Sequence, residues 1–83
     1  MNVDKIEYHL EFYDQDDTQI EHYGNMGSAF IPPRKGEHVS LIGKQKTLEV
    51  TRVVHYIAEY QTPFSIGYVV RVYGKEVPFE GHA

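Results

Sequence analysis

The chain has 83 residues, 41% of them hydrophobic and 13% aromatic, with 12 acids against 8 bases and a net charge of −4. That length holds a single domain over 1–83, and the composition is that of a folded protein without low-complexity tracts. The absence of cysteine excludes disulfide scaffolds, thiolate nucleophiles and sulfur-ligated zinc, and the acid surplus disfavours non-specific nucleic-acid binding.

The first ten residues, MNVDKIEYHL, carry charge where a secretion leader has an apolar core. No later stretch nears the ~18 apolar residues of a membrane span. The expectation is a cytoplasmic protein with no membrane partner. From Lys5 to Tyr13 the chain alternates. Ile6, Tyr8, Leu10 and Phe12 fall on one face, and Lys5, Glu7, His9 and Glu11 on the other, the period of a half-buried strand. The polar turn DQDDT (14–18) and the return strand QIEHY (19–23) complete a predicted hairpin. GNMGS (24–28) interrupts the pattern with residues that tolerate positive φ, and Met26 and Phe30 are expected to plug one end of the core.

In FIPPRKG (30–36) two prolines remove ladder donors and fix an extended approach, and Gly36 frees the chain. EHVSLIG (37–43) then reads as a strand with Val39 and Leu41 on one face, followed by a short connection, GKQK. In TLEVTRVVHYIAEY the apolar phase slips between Val50 and Val53, which predicts a β-bulge near Thr51 and Arg52. A short helical turn over 57–61 is the competing reading of the end of this run. QTPFS (61–65) reads as a loop and IGYVVRVYG (66–74) as a strand apolar on both faces. Val77 and Phe79 are candidates for a last short strand, and a flexible C-terminal tail is expected from about residue 80.

About five strands with short connections, and no long helix, predict an all-β fold: a small, partly open five-stranded SH3-like barrel. An OB-like barrel, or a small α+β fold with the helix near 57–61, is the alternative. Closure both encloses a core and removes edges. A domain this small buries only about 60% of its unfolded surface, so self-association would aid stability. Seven tyrosines without tryptophan suit thin cores and interfaces, because tyrosine buries a ring and keeps its hydroxyl wet.

Three groupings carry candidate chemistry. His9 and Glu11 share a strand face and His22 lies on the return strand, so a hairpin register that aligns them assembles a metal-type trio. The simpler reading is a solvated hairpin face, and no cofactor is expected. Arg34, Lys35, Lys44, Lys46, Arg52 and Arg71, with Tyr56, Tyr68 and Tyr73, form the cation-and-aromatic mixture of a single-strand nucleic-acid platform. Against that stands the net charge of −4, and loop-end solubility charges explain the cations more simply. Ser40, His38 and Asp14 compose a nominal triad, but no strand–turn–helix nucleophile elbow supports it, so no enzymatic activity is expected. DQDDT lacks the glycine and glutamate of a calcium loop.

The run PPRKGEHVSLIG…KTLEVTRVVHYI…YVVRVY resembles small uncharacterised bacterial and phage proteins with Pro-Arg-x-Gly-Glu/Asp, an apolar strand, then Val-x-x-Val. It covers residues 31 to 73. The resemblance implies an SH3-type barrel and a bacterial or phage setting, and no activity. The resulting expectation is a non-enzymatic interaction module contacting a protein partner, such as a host protein that it inhibits, or itself as a homodimer. A single-stranded nucleic-acid-binding barrel is the alternative, and a metal or small-ligand site at His9, Glu11 and His22 the second.

Overall fold

A computed structural model of the chain describes residues 5–24, 31–60 and 65–81. The described residues form five strands: β1 (Lys5–Tyr13), β2 (Gln19–Tyr23), β3 (His38–Leu41), β4 (Lys46–Tyr60) and β5 (Ser65–Val77). They make one mixed sheet in the order β2-β1-β5-β4-β3, curled into a half-barrel. The expected all-β, partly open five-stranded barrel is therefore what the chain forms. The β1–β2 hairpin and the β3–β4–β5 meander are antiparallel units, joined by a parallel β1–β5 pair.

The alternation read in β1 and β5 becomes rows running across the concave face. Phe12 lies beside Val72 and Val53, Leu10 beside Val70 and His55, and Tyr8 beside Tyr68 and Ile57. The predicted bulge is present, with the β4–β5 register shifting between Val50 and Arg52. One extra residue there keeps Leu48 and Val50 on the same face as Val53, His55 and Ile57, so both halves of β4 serve one core. Gly74 lies opposite Val50, where a Cβ would stand 2.8 Å from Leu48 Cβ. Only glycine lets the strands close at that point.

The core consists of Phe12, Leu41, Leu48, Val50, Val70 and Val72, with Leu10, Ile20, Val39, Val53 and Tyr68 packed against it. It occupies one end of the sheet. Val72 is fully buried, whereas Ile57, two rows further along, is 71% exposed.

The helical alternative over 57–61 is not what forms. β4 stays extended to Tyr60, where its ladder with β5 and its β-branched and tyrosine residues favour strand; residue 61 lies outside the described residues. Val77 belongs to β5 and starts no further strand. The connection at 42–44 is a single 3-10 turn closed by Gln45 at φ 53°. The readings of Met26 and Phe30 as plugs and of 61–64 as a loop lie outside the described residues.

Near the C-terminus, Glu80 is tied to the sheet. Its N–H donates to Thr47 Oγ1 at 2.7 Å, and its carbonyl accepts from Ser40 Oγ at 2.8 Å. The Ser40 proton is thereby used, so in the 2.7 Å contact between the two hydroxyls Thr47 is the donor. This closed ring of bonds satisfies Thr47, the one buried polar residue among those described.

Candidate interaction surface

FIPPRKG ends in a tight turn that docks on β4. Glu37 N–H donates to the Arg34 carbonyl at 3.0 Å, and the Glu37 side chain accepts from Arg34 N–H. Gly36, at φ +92°, donates to the Val50 carbonyl at 2.8 Å, and Val50 N–H donates to the Glu37 carbonyl at 2.8 Å. Upstream of this clamp the chain diverges from β4, and its prolines offer no donor for continued pairing. An open groove of about 580 Å³ results, walled by 31–35 on one side and by Thr51, Arg52, Val53 and His55 on the other.

The groove runs along a strand edge that no strand among the described residues takes up. In a strand of L-residues, side chains on one face belong to residues whose N–H and C=O point to the same side. Val50 directs its pair toward β3. Val53, His55 and Ile57 share the concave face with Val50 and direct theirs the same way. β3 pairs only with Lys46–Glu49, and the 36–37 segment only with Val50. Beyond Val50, no strand among the described residues takes up this edge. Tyr56 and Ile57 expose their side chains beside it, at 42% and 71%.

On the convex face, parallel pairing sets Glu11 beside Arg71 and Tyr13 beside Tyr73. Arg71 Nε donates to Glu11 Oε1 at 2.9 Å, and Tyr13 OH donates to the same oxygen at 2.8 Å. The Arg71 guanidinium lies over Tyr56 at 4.6 Å and near Tyr13 at 5.5 Å, and Arg52 covers Tyr73 at 4.0 Å. The Tyr13 and Tyr73 rings stack at 5.2 Å. Desolvation, with the Glu11 bond second, raises the Tyr13 pKa, and the Glu11 bond raises that of Arg71. Both groups therefore hold their protons, and the ladder is self-satisfied.

The structure thus brings Arg52, Tyr56, Arg71 and Tyr73 together on one face. Tyr68 lies on the opposite, concave face, where its hydroxyl is 2.7 Å from His55 Nδ1. Arg34 and Lys35 line the groove and form no ion pair among the described residues. Lys44 and Lys46 sit at the remote β3–β4 turn, with Lys44 3.9 Å from Glu21. A platform spanning all these residues is not assembled, because they occupy two faces and two ends of the sheet. The Arg52–Asp17 pair at 3.8 Å is exposed on both sides, where such pairs contribute little.

The hairpin register does align His9, Glu11 and His22. His9 Nδ1 lies 3.3 Å from His22 Nε2, and His22 Nε2 lies 3.9 Å from Glu11 Oε2. The imidazoles stack within 10° of parallel, an arrangement in which one ring nitrogen faces another and the two do not converge on a common point. Among the described residues no group of three or more histidine or carboxylate side chains is placed to hold a metal ion. Ser40 and His38 are both bonded to Glu80, and Asp14 accepts from the N–H groups of Asp16 and Thr18 in its own turn. The Glu80 bond is the main cause of a raised His38 pKa, which Glu49 at 3.6 Å also favours. At the sequence level the open edge was signalled by a mismatch in length, the run TLEVTRVVHYIAEY against the much shorter EHVSLIG; in the structure it becomes a 15-residue strand against a neighbour of 4.

No protein family, curated protein or solved structure matches the chain. Among the described residues no helix is long and apolar enough to cross a membrane.

Proposed function

We propose that the protein is a non-enzymatic interaction module that binds an extended polypeptide segment as an added strand along the open edge of β4. The observation that carries this reading is the edge itself. Val53, His55 and Ile57 direct N–H and C=O groups outward, the first two into a groove whose far wall includes Pro32 and Pro33, which have no N–H to donate in return. Main-chain bonds supply affinity in this mode and flanking side chains supply selectivity. Arg34 and Lys35, which line the groove, favour a segment carrying acidic residues.

Single-stranded nucleic acid is a poorer fit. Base stacking needs free aromatic faces, whereas Tyr73 is covered by Arg52 and stacked on Tyr13, and Tyr56 lies under Arg71.

The test uses the ¹⁵N-labelled protein with two probes, an array-selected acidic peptide and oligothymidine. The expected result is amide shifts in 31–35 and 51–57 with the peptide. No peptide-induced shift, together with low-salt shifts around Tyr13 and Tyr73 on adding oligothymidine, would replace this reading with the nucleic-acid one.

A further inference from the structure

We infer that the strand added to the β4 edge is β4 of a second copy, paired antiparallel about a two-fold axis at His55. This rests on the strand-addition reading above and names its occupant. In an antiparallel pair, directly opposed residues lie on the same face, so a register centred on His55 sets Val53 opposite Ile57 and Val54 opposite Tyr56. Arg52 then faces Ala58. Each of the first two pairs joins a β-branched residue to an aliphatic or aromatic one, the kind of cross-strand pair that stabilises sheets. No cation faces a cation and no acid faces an acid among Arg52, Val53, Val54, Tyr56, Ile57 and Ala58.

Backbone chemistry agrees with this register. The residues that direct N–H and C=O outward are Val53, His55 and Ile57, and the register pairs that set with itself. His55 exchanges both bonds with its symmetry mate, and Val53 exchanges with Ile57. The His55 ring is engaged by the Tyr68 hydroxyl at 2.7 Å, which leaves its backbone to occupy the axis.

The clamp of Gly36 and Glu37 on Val50 ends the shared ladder at Thr51.

The shape of one copy fits half of a larger sheet. Its radius of gyration is 14.4 Å and its longest extent 47 Å, against about 12 Å for the radius of a compact chain of this length. Pairing at β4 joins the concave faces of both copies, and places Ile57, 71% exposed in one copy, against Val53 of the other.

Sedimentation velocity on the full chain across a wide concentration range tests the assignment. The expected result is a species of twice the 9.6 kDa chain mass. Ile57→Lys and Ile57→Pro should weaken its dimerisation by about tenfold or more and leave the circular dichroism spectrum unchanged. The proline variant deletes one outward N–H and touches no bond to β5. A monomer at every concentration that still binds the acidic peptide at 51–57 would overturn the self-pairing and leave the strand-addition reading standing. A dimer that persists in both variants would place the interface elsewhere and overturn it as well.

Discussion

The two ends of this sheet are built from the same three long strands and behave as different materials. At one end Phe12, Val70 and Val72 meet Leu48 and Val50, closed over by β3 and flanked by β2, and are nearly inaccessible. At the other, Ile6, Tyr56 and Ile57 lie exposed, on stretches of β1 and β4 where β2 and β3 no longer reach. The alternating pattern is equally good at both ends. What differs is neighbours: burial follows the short strands, and the long strands outrun them. A small chain can thus concentrate its stability at one end and leave the other exposed.

Truncation should separate the ends most sharply. Leu48→Ala removes a fully buried side chain and should destabilise by about 2–5 kcal/mol, a large share of a small domain's stability. Ile57→Ala, measured by urea unfolding of dilute protein, should stay within about 0.5 kcal/mol of the parent. Comparable losses at both sites would erase the distinction. Gly74→Ala sharpens it by overfilling the closed end. The new methyl meets Leu48 Cβ at 2.8 Å and the Glu49 carbonyl at 3.1 Å, for an expected loss of about 1–3 kcal/mol; an unchanged melting curve would contradict that packing.

Thr47→Val keeps the volume and deletes the hydroxyl that links Ser40 to Glu80. The expected loss is about 1–2 kcal/mol, since the Glu80 N–H loses its acceptor. Faster exchange of the Glu80 amide would locate the effect, and unaltered exchange would show that the ring of bonds does not hold this segment.

The smallest effect is electrostatic. His38 has a raised pKa through its bond to Glu80, so the folded state favours the protonated ring. The associated stability is fully present below the ordinary value of 6.5, while Glu80 is ionised, and is lost as pH rises through the raised folded value. The stability difference between the parent and His38→Gln should therefore shrink with rising pH, and shrink with added salt, because both partners are about half exposed. A difference that grew with pH would reverse the assignment.

Much of this architecture was legible in local patterns. The hairpin followed from strict alternation in 5–13, and the bulge from the phase slip between Val50 and Val53. Strand order was not legible, because alternation fixes which face a residue takes and is silent on which strand lies beside it. The parallel β1–β5 pairing joins residues about sixty positions apart, and only that pairing brings Glu11 to Arg71. Without it, Arg52, Tyr56, Arg71 and Tyr73 read as a free cationic platform, when all four are in fact engaged in pairs with Glu11, Tyr13 or one another.

Residue-resolved hydrogen exchange of β4 as a function of protein concentration tests the central claim most directly. The amides of Val54, Tyr56 and Ala58 face β5 and should be protected at every concentration. Those of Val53, His55 and Ile57 should exchange freely in dilute protein and become protected as concentration rises. Equal protection of both sets in the dilute monomer would show that the edge is already occupied, and would contradict the account.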